Sequence, residues 1–269
     1  MSELLRDTQL AFDAVAANYD GPLGNNALVQ RIRTRTMRAV RQNTLRGSRL
    51  LDLGCGTGLD AVSLASAGYR VTAIDWSVEM VRRTKDRSIQ TNLQDRVEVM
   101  HLGFHQLDEF SSGYFDGLYS DLGPLNCAAN IEELAASLAR ILKPDGRLIA
   151  SVIGRVCPWE WLLYSSKGQW ARARLRFTRD PVPVPLNGRM IWTRYFTPRE
   201  FEGVFISAGF ELISVRALGL FVPPPYMIGF AERHPRIINF LQTLDDSFGH
   251  WPGIRQWGDH FLIVMQKHG

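Results

Sequence analysis

Between Leu50 and Asp75 the chain reads LLDLGCGTGLDAVSLASAGYRVTAID, and this stretch restricts the possible folds more than any other. Leu50 to Leu53 has the apolar character of a buried strand. Gly54, Gly56 and Gly58 make a glycine-rich turn, a helical segment follows, and a second strand ends at Asp75. In such strand–turn–helix–strand units a nucleotide-like ligand sits beyond the C-terminal end of the first strand. Glycine lets the backbone pass close beneath a ligand, and the helix start offers unpaired N–H groups. Asp75, nineteen positions after Gly56, stands where a carboxylate can accept both ribose hydroxyls.

Spacing then selects among ligands. A dinucleotide fingerprint needs its third glycine three positions after the second, and Leu59 occupies that position here. Asp52, two residues before Gly54, places a carboxylate suited to a cationic group such as an α-amino group beside a sulfonium. DLGCGTG followed by AID resembles motif I and the ribose-binding acid of the class I S-adenosylmethionine-dependent methyltransferases. The resemblance covers about residues 10–154, 196–222 and the final strand. It implies an α/β fold: a Rossmann-like sheet of seven strands, the last antiparallel, with helices on both faces and cap insertions. The cofactor implied is S-adenosylmethionine, leaving as S-adenosylhomocysteine.

The same resemblance distributes roles. FDAVAANYD, residues 12–20, resembles the lead-in of quinone- and small-molecule-type members, where the tyrosine approaches the cofactor's carboxylate. That role falls on Tyr19; the alternative is that Phe12 and Tyr19 only pack a terminal helix. Asp52 and the loop Gly54, Cys55, Gly56, Thr57 and Gly58 would face the methionine end, and Asp75 the ribose. Trp76, which follows, is placed to pack on the adenine ring. Ser77 is an N-cap with Met80 at the third helical position, so the capping-box acid is missing; Met80 is also expected at the cofactor. After the third strand (97–102), Gly103 and Phe104 stand where relatives carry an acid for the adenine amino group. Phe104 cannot make that bond, which leaves backbone groups or His105. His105 is also the one weak candidate for a catalytic base. Ser120 and Asp121 end the fourth strand, against the methionine part. Asp121-Leu122-Gly123-Pro124 departs from the N/D-P-P-Y/F motif of adenine-N6 and glutamine methyltransferases, which argues against planar amine acceptors.

The remaining organisation follows from local signals. Residues 130–142 have the spacing of an amphipathic helix, and 147–153 read as the fifth strand. Thr197-Pro198-Arg199-Glu200 is a capping box with proline at the first helical position. Phe210 to Val222 and His260 to Gln266 read as the last two strands. One domain of 269 residues results, with its core at about 45–154, 196–222 and 259–267 and an N-terminal cap at 1–44. Two insertions, about 155–195 and 223–258, are individual to this chain. The first carries a hairpin signal around Asn187-Gly188. Their aromatic residues, Trp159, Trp161, Trp192, Tyr195 and Tyr226, with Asn126 after the fourth strand, are the candidate acceptor contacts. They form either an aromatic lid over an apolar molecule or the insertions' own small core.

Arg31, Arg35 and Arg38 share a helical face, which reads as solvated, with anion or membrane binding as the alternative. Net charge of +4 does not by itself call for nucleic acid, and no RNA-binding module is recognisable. Cys55, Cys127 and Cys157 suit reduced thiols. The histidines are scattered, so no metal site is expected. No leader-like or 18-residue apolar stretch occurs, and a cytoplasmic protein without stable membrane insertion is expected. The function expected is methyl transfer to O, N or C of a small apolar or aromatic molecule. An RNA or protein methyltransferase, or a cofactor-binding protein without transfer, is the alternative.

Overall fold

The computed structural model describes residues 3–22 and 24–269. Seven strands form one sheet: β1 (Arg49–Leu53), β2 (Arg70–Asp75), β3 (Val97–His101), β4 (Phe115–Ser120), β5 (Leu142–Ile153), β8 (Phe210–Leu218) and β9 (His260–Lys267). Their spatial order is β3-β2-β1-β4-β5-β9-β8, with β9 antiparallel to both neighbours. β6 (Val182–Leu186) and β7 (Arg189–Thr193) make a separate hairpin. Strand order reverses between β1 and β4, and a crevice opens there beyond the strand ends.

Among the described residues ten α-helices surround the sheet: α1 (Glu3–Val15), α2 (Ala27–Asn43), α3 (Leu59–Ser66), α4 (Val78–Gln90), α5 (Ile131–Ile141), α6 (Pro158–Ser166), α7 (Trp170–Ala173), α8 (Pro198–Ser207), α9 (Ile228–Arg233) and α10 (Pro235–Phe248). One apolar layer joins Leu51 and Leu53 to Leu134, Leu138, Phe201 and Phe205 on the α5/α8 side. The opposite layer joins Leu50 and Tyr119 to Ile32, Val40, Ala61 and Leu64 on the α2/α3 side. A strand's side chains alternate between faces, so β1 feeds both layers.

Helix starts obey their local chemistry. Asn26 caps α2 by accepting from the N–H groups of Leu28 and Val29 at 3.0 and 3.1 Å. Thr197 and Glu200 form the expected reciprocal box, with Pro198 at the first helical position. Asn187 and Gly188 both take positive φ, as a two-residue turn joining twisted strands requires. The cap of α4 lacks a box acid of its own, as expected: Ser77 accepts from Met80 N at 3.1 Å, its own N–H goes to Asp75, and a further acid reaches the helix start from α1. Asp13 of α1 accepts from the Ser77 hydroxyl at 2.5 Å and from Glu79 N at 3.1 Å.

Two boundaries also shift. β8 stops at Leu218 rather than Val222, because Gly219 turns at φ 68°. Buried Asp245 then accepts from the N–H groups of Leu220, Phe221 and Val222, binding them to α10 instead of a ladder. The arginine face of α2 is not simply solvated. Arg31 donates to Asn239 and Arg35 makes a two-pronged pair with Asp246, both on α10, while Arg38 alone of the three remains exposed. These arginines dock the second insertion.

Candidate active site

The crevice at the reversal point holds a cavity of about 420 Å³, within the roughly 300–1,000 Å³ of small-molecule sites. Its floor is Gly54 to Thr57 of the glycine loop, and Gly58, also expected at the cofactor, does not border it. All three of these glycines have positive φ, and two are also sterically required. A Cβ at Gly54 would lie 2.4 Å from Pro124, and one at Gly58 would lie 2.6 Å from Thr84. The third, Gly56, has only the Tyr19 ring near it, at 3.6 Å. Its N–H donates to Asp75 Oδ2 at 2.9 Å, while Asp75 Oδ1 accepts from Ser77 N at 2.8 Å. Each carboxylate oxygen is thus oriented by one backbone N–H and keeps acceptor capacity. Burial, with Asp13 adding to it, lifts the Asp75 carboxyl to about 6 despite these two bonds.

A second charged group lies at the other end of the loop. Arg33 of α2 pairs with Asp60, in the first turn of α3, at 2.5 Å, and both border the cavity with Asp121. Burial raises the Asp60 carboxyl to about 6, Asp121 adds to this and Arg33 opposes it. Burial alone would lower Arg33, yet Asp60 and Asp121 outweigh it and raise its pKa. Asp121 Oδ1 accepts from the Ser151 hydroxyl at 2.6 Å. Asp121 Oδ2 and Arg33 Nε are buried with no hydrogen-bond partner among the described residues. A buried donor and a buried acceptor left unsatisfied carry a free-energy cost.

Asp52 lies one layer lower. It shares the β1 face of Leu50, not that of Leu53, and so points toward α2 and α3 rather than into the cavity. Burial first, then Asp60, raises its carboxyl well above the usual range, with the Tyr119 hydroxyl opposing. Its Oδ2 and the Tyr119 hydroxyl both lack hydrogen-bond partners among the described residues. Ser120 is also interior, its hydroxyl donating to Leu53 O at 2.9 Å.

The other cofactor candidates do border the cavity: Tyr19, Cys55, Thr57, Trp76, Met80, Gly103, Phe104 and the candidate base His105. Burial, then the Asp75 charge, pushes the Tyr19 hydroxyl up to about 12. Thr57 donates to Asp20 Oδ1 at 2.6 Å; Asp20 pairs with Arg87 at 2.5 Å; and Arg87 donates back to Thr57 O at 2.8 Å. Trp76 has His101 stacked on its ring at 5.1 Å and His105 edge-on at 4.8 Å. The His101 ring nitrogen also meets Trp76 O at 2.9 Å.

The acceptor candidates fare differently, and none borders the cavity. Asn126 is a staple: its amide donates to Ile153 O and Arg194 O and accepts from Ile153 N, tying β5 to the strand leaving the hairpin. Trp159 donates to Phe221 O, and Tyr195 is buried beneath the Arg176 guanidinium. Trp161 and Tyr226 are about half exposed. Trp192 pairs with Pro183 on the hairpin face opposite Ile191 and Thr193. The aromatic-lid expectation is therefore corrected. Leu5, Thr8 and Phe12 of α1, with Ile191 and Thr193 of β7, cover the cavity instead, and α1 packs along β7. Cys127 lies beneath them, its thiol raised to about 11 by burial.

Several bordering residues escaped the sequence reading: Arg33, Asp60, and the covering Leu5, Thr8, Ile191 and Thr193. Asp60 had a usable signal, an acid in the first turn after the glycine loop. Arg33 had none beyond its place next to the buried Ile32 stripe.

Comparison with known proteins agrees with this geometry. Residues 50–146 match the model of a methyltransferase domain family. A ubiquinone biosynthesis O-methyltransferase of Psychrobacter arcticus is 26% identical over 194 residues, 70% of each chain. An S-adenosyl-L-methionine-dependent Diels-Alderase of Talaromyces variabilis is 34% identical over 102 residues, covering 38% of this chain and 35% of its own. Among solved structures, Burkholderia thailandensis 1,6-didemethyltoxoflavin-N1-methyltransferase with its bound substrate and S-adenosylhomocysteine aligns with a TM-score of 0.61. That alignment has 17% identity, covers 100% of this chain and 92% of the other, and shows likeness of fold. With the reversed strand order, the glycine cradle and Asp75, these matches show that residues 50–146 are similar to a methyltransferase domain and that the chain has the fold of S-adenosylmethionine-dependent methyltransferases.

Proposed function

We propose that the protein transfers the methyl group of S-adenosylmethionine to a small, apolar or aromatic acceptor. The observation carrying this reading is the single cavity in which a charged cradle continues into an apolar cover. Arg33, Asp121 and Asp75 line it together with Leu5, Phe12, Ile153 and Ile191. The bound cofactor supplies an electrophilic methyl on a sulfonium. This chain's residues supply placement: Asp75 orients the ribose, Arg33 and Asp121 hold the amino-acid group, and Trp76 with Phe104 flanks the adenine.

No base is required of the cover. Cys127 and Tyr19 stay protonated near neutral pH, since burial raises both. Asp60 and Asp75 are committed to Arg33 and to backbone N–H groups. Rate enhancement then rests on orientation and exclusion of water, which supply about 7–11 kcal/mol when reacting atoms are well held. The quinone-biosynthesis relative supports an acceptor of ring type. The Diels-Alderase relative favours a second reading, in which the cofactor is bound without methyl transfer.

Methyl-labelled S-adenosylmethionine, incubated with the protein and an extract fractionated into organic-soluble molecules, RNA and protein, separates the readings. Label in the organic fraction is expected. Label confined to RNA or protein overturns the acceptor class, and no label with the cofactor bound selects the second reading.

A further inference from the structure

The charge of this protein is concentrated in its first insertion. Residues 155–195 contain eight Lys or Arg against two Asp or Glu, whereas the whole chain has a net charge of only +4. Four of these cations make ion pairs, Arg179 with Glu200 at 3.6 Å and Arg194 with Glu132 at 3.8 Å more loosely than the other two. Arg155 pairs with Glu200 and donates to Tyr195 O, and Arg176 is buried between Glu160 and Asp259. These pairs fasten the insertion to the sheet and consume Glu160, one of its two acids. Lys167, Arg172, Arg174, Arg179 and Arg189 remain exposed, and no acid occurs between Trp161 and Arg179.

The same segment exposes apolar side chains that a docked element ordinarily hides. Trp161, Leu162, Trp170, Leu175 and Phe177 are 49, 59, 55, 40 and 47% exposed, and α6 has no fully buried residue. The hairpin continues the pattern. Its inner face carries Ile191 and Thr193 at the cavity, while on its other face Pro183, Pro185 and Met190 are exposed.

We propose that this insertion is a docking surface for an anionic lipid bilayer. Tryptophan combines an apolar ring with a polar edge and settles at the interface between headgroups and acyl chains. Arginine beside it is attracted to acidic headgroups, each one worth about a fivefold gain in partitioning. RNA would also use the arginines and the aromatic rings, but it gives no favourable place to Leu162, Leu175, Pro185 or Met190. A bilayer takes all of them. The attachment is peripheral, since no helix among the described residues is long and apolar enough to cross a membrane. If the acceptor is apolar, as proposed above, one hairpin then joins the membrane to the cavity. That consequence rests on the functional proposal; the docking itself does not.

The test is co-sedimentation of the full chain with phosphatidylcholine vesicles, with and without phosphatidylglycerol, at low and high salt. Binding is expected only with phosphatidylglycerol and should weaken as salt rises, because exposed charges are screened. Arg172→Gln/Arg174→Gln should reduce partitioning about twenty- to thirtyfold, and Trp161→Ser/Trp170→Ser should abolish most of it. Unchanged S-adenosylhomocysteine binding would show that both variants keep the cavity intact. Three results would overturn the proposal: no vesicle binding, binding indifferent to lipid charge and to both variants, or retention on single-stranded RNA without vesicle binding. The last reassigns the surface to nucleic acid.

Discussion

Replacing Asp75 with asparagine tests the cofactor assignment at its most constrained atom pair. Both carboxylate oxygens accept a backbone N–H, from Gly56 at 2.9 Å and from Ser77 at 2.8 Å. An amide must turn its NH2 toward one of those N–H groups, so one bond becomes a donor–donor contact. Hydrogen bonds to charged groups are worth about 1.5–3 kcal/mol each. Losing one such bond, together with the charge on those to the ribose hydroxyls, weakens binding of S-adenosylhomocysteine about 10- to 1,000-fold. Titration calorimetry of the wild type and Asp75→Asn measures this directly.

The pH dependence gives an independent check. On the proposed assignment the ribose is held by the ionised carboxylate, whose pKa burial raises to about 6 from the ordinary 3.8. Affinity is therefore full above about pH 7 and falls about tenfold by pH 5. The ligand-free fold shows the opposite sign. A carboxyl raised by folding binds its proton more tightly in the native state, so its share of stability is present below 3.8 and is lost as pH rises through 6. Asp60 titrates in the same range, and the Asp60→Asn variant should keep the Asp75 part of the profile. Affinity within threefold of wild type for Asp75→Asn, or a profile flat from pH 5 to 8, would refute the reasoning.

Arg33→Met removes the partner of Asp60 and the unsatisfied Nε; cofactor affinity should fall about 10- to 100-fold, roughly the value of one charged hydrogen bond, with partial recovery in Arg33→Lys by calorimetry. Phe12→Ala or Ile191→Ala should raise the acceptor's KM with cofactor affinity nearly unchanged, whereas Trp161→Ala should leave both unchanged in steady-state assays with soluble acceptor. Thr197→Ala breaks the capping box of α8, away from the cavity, and should lower stability in urea unfolding by about 1 kcal/mol without altering cofactor affinity.

What could be read from the sequence was whatever depends on neighbouring residues. The glycine cradle, the Asn187-Gly188 hairpin, the Thr197 box and the antiparallel last strand all carry signals within a few positions or follow from the family resemblance. What escaped depends on which way a side chain points after packing. Asp52 and Asp60 are both acids flanking the glycine loop, and the pleat of β1 turns Asp52 away from the cavity that Asp60, on α3, borders. Arg31, Arg33 and Arg35 look alike in the chain, yet a rotation of about 200° between alternate helix positions sends Arg33 to the cavity and its neighbours to α10. The tryptophans suggested a lid because aromatic residues cluster in the insertions. The residues that cover the cavity, Leu5, Thr8, Phe12, Ile191 and Thr193, lie on α1 and β7, elements whose meeting no local pattern encodes.

Asp13 and Asp20 join the covering segment to the floor it covers. Asp13 completes the cap of α4, just beyond Asp75, and Asp20 holds Thr57 in the glycine loop. A chain whose N-terminal segment has swung away has lost a helix cap and a loop tether together with its roof. Opening and loosening are then one event, and a ligand that orders the loop must also draw the segment shut. Protease cleavage within residues 3–20 should slow when S-adenosylhomocysteine is bound, and a chain trimmed to Asn26 should bind it poorly although every cradle residue from Gly54 to Asp75 is intact.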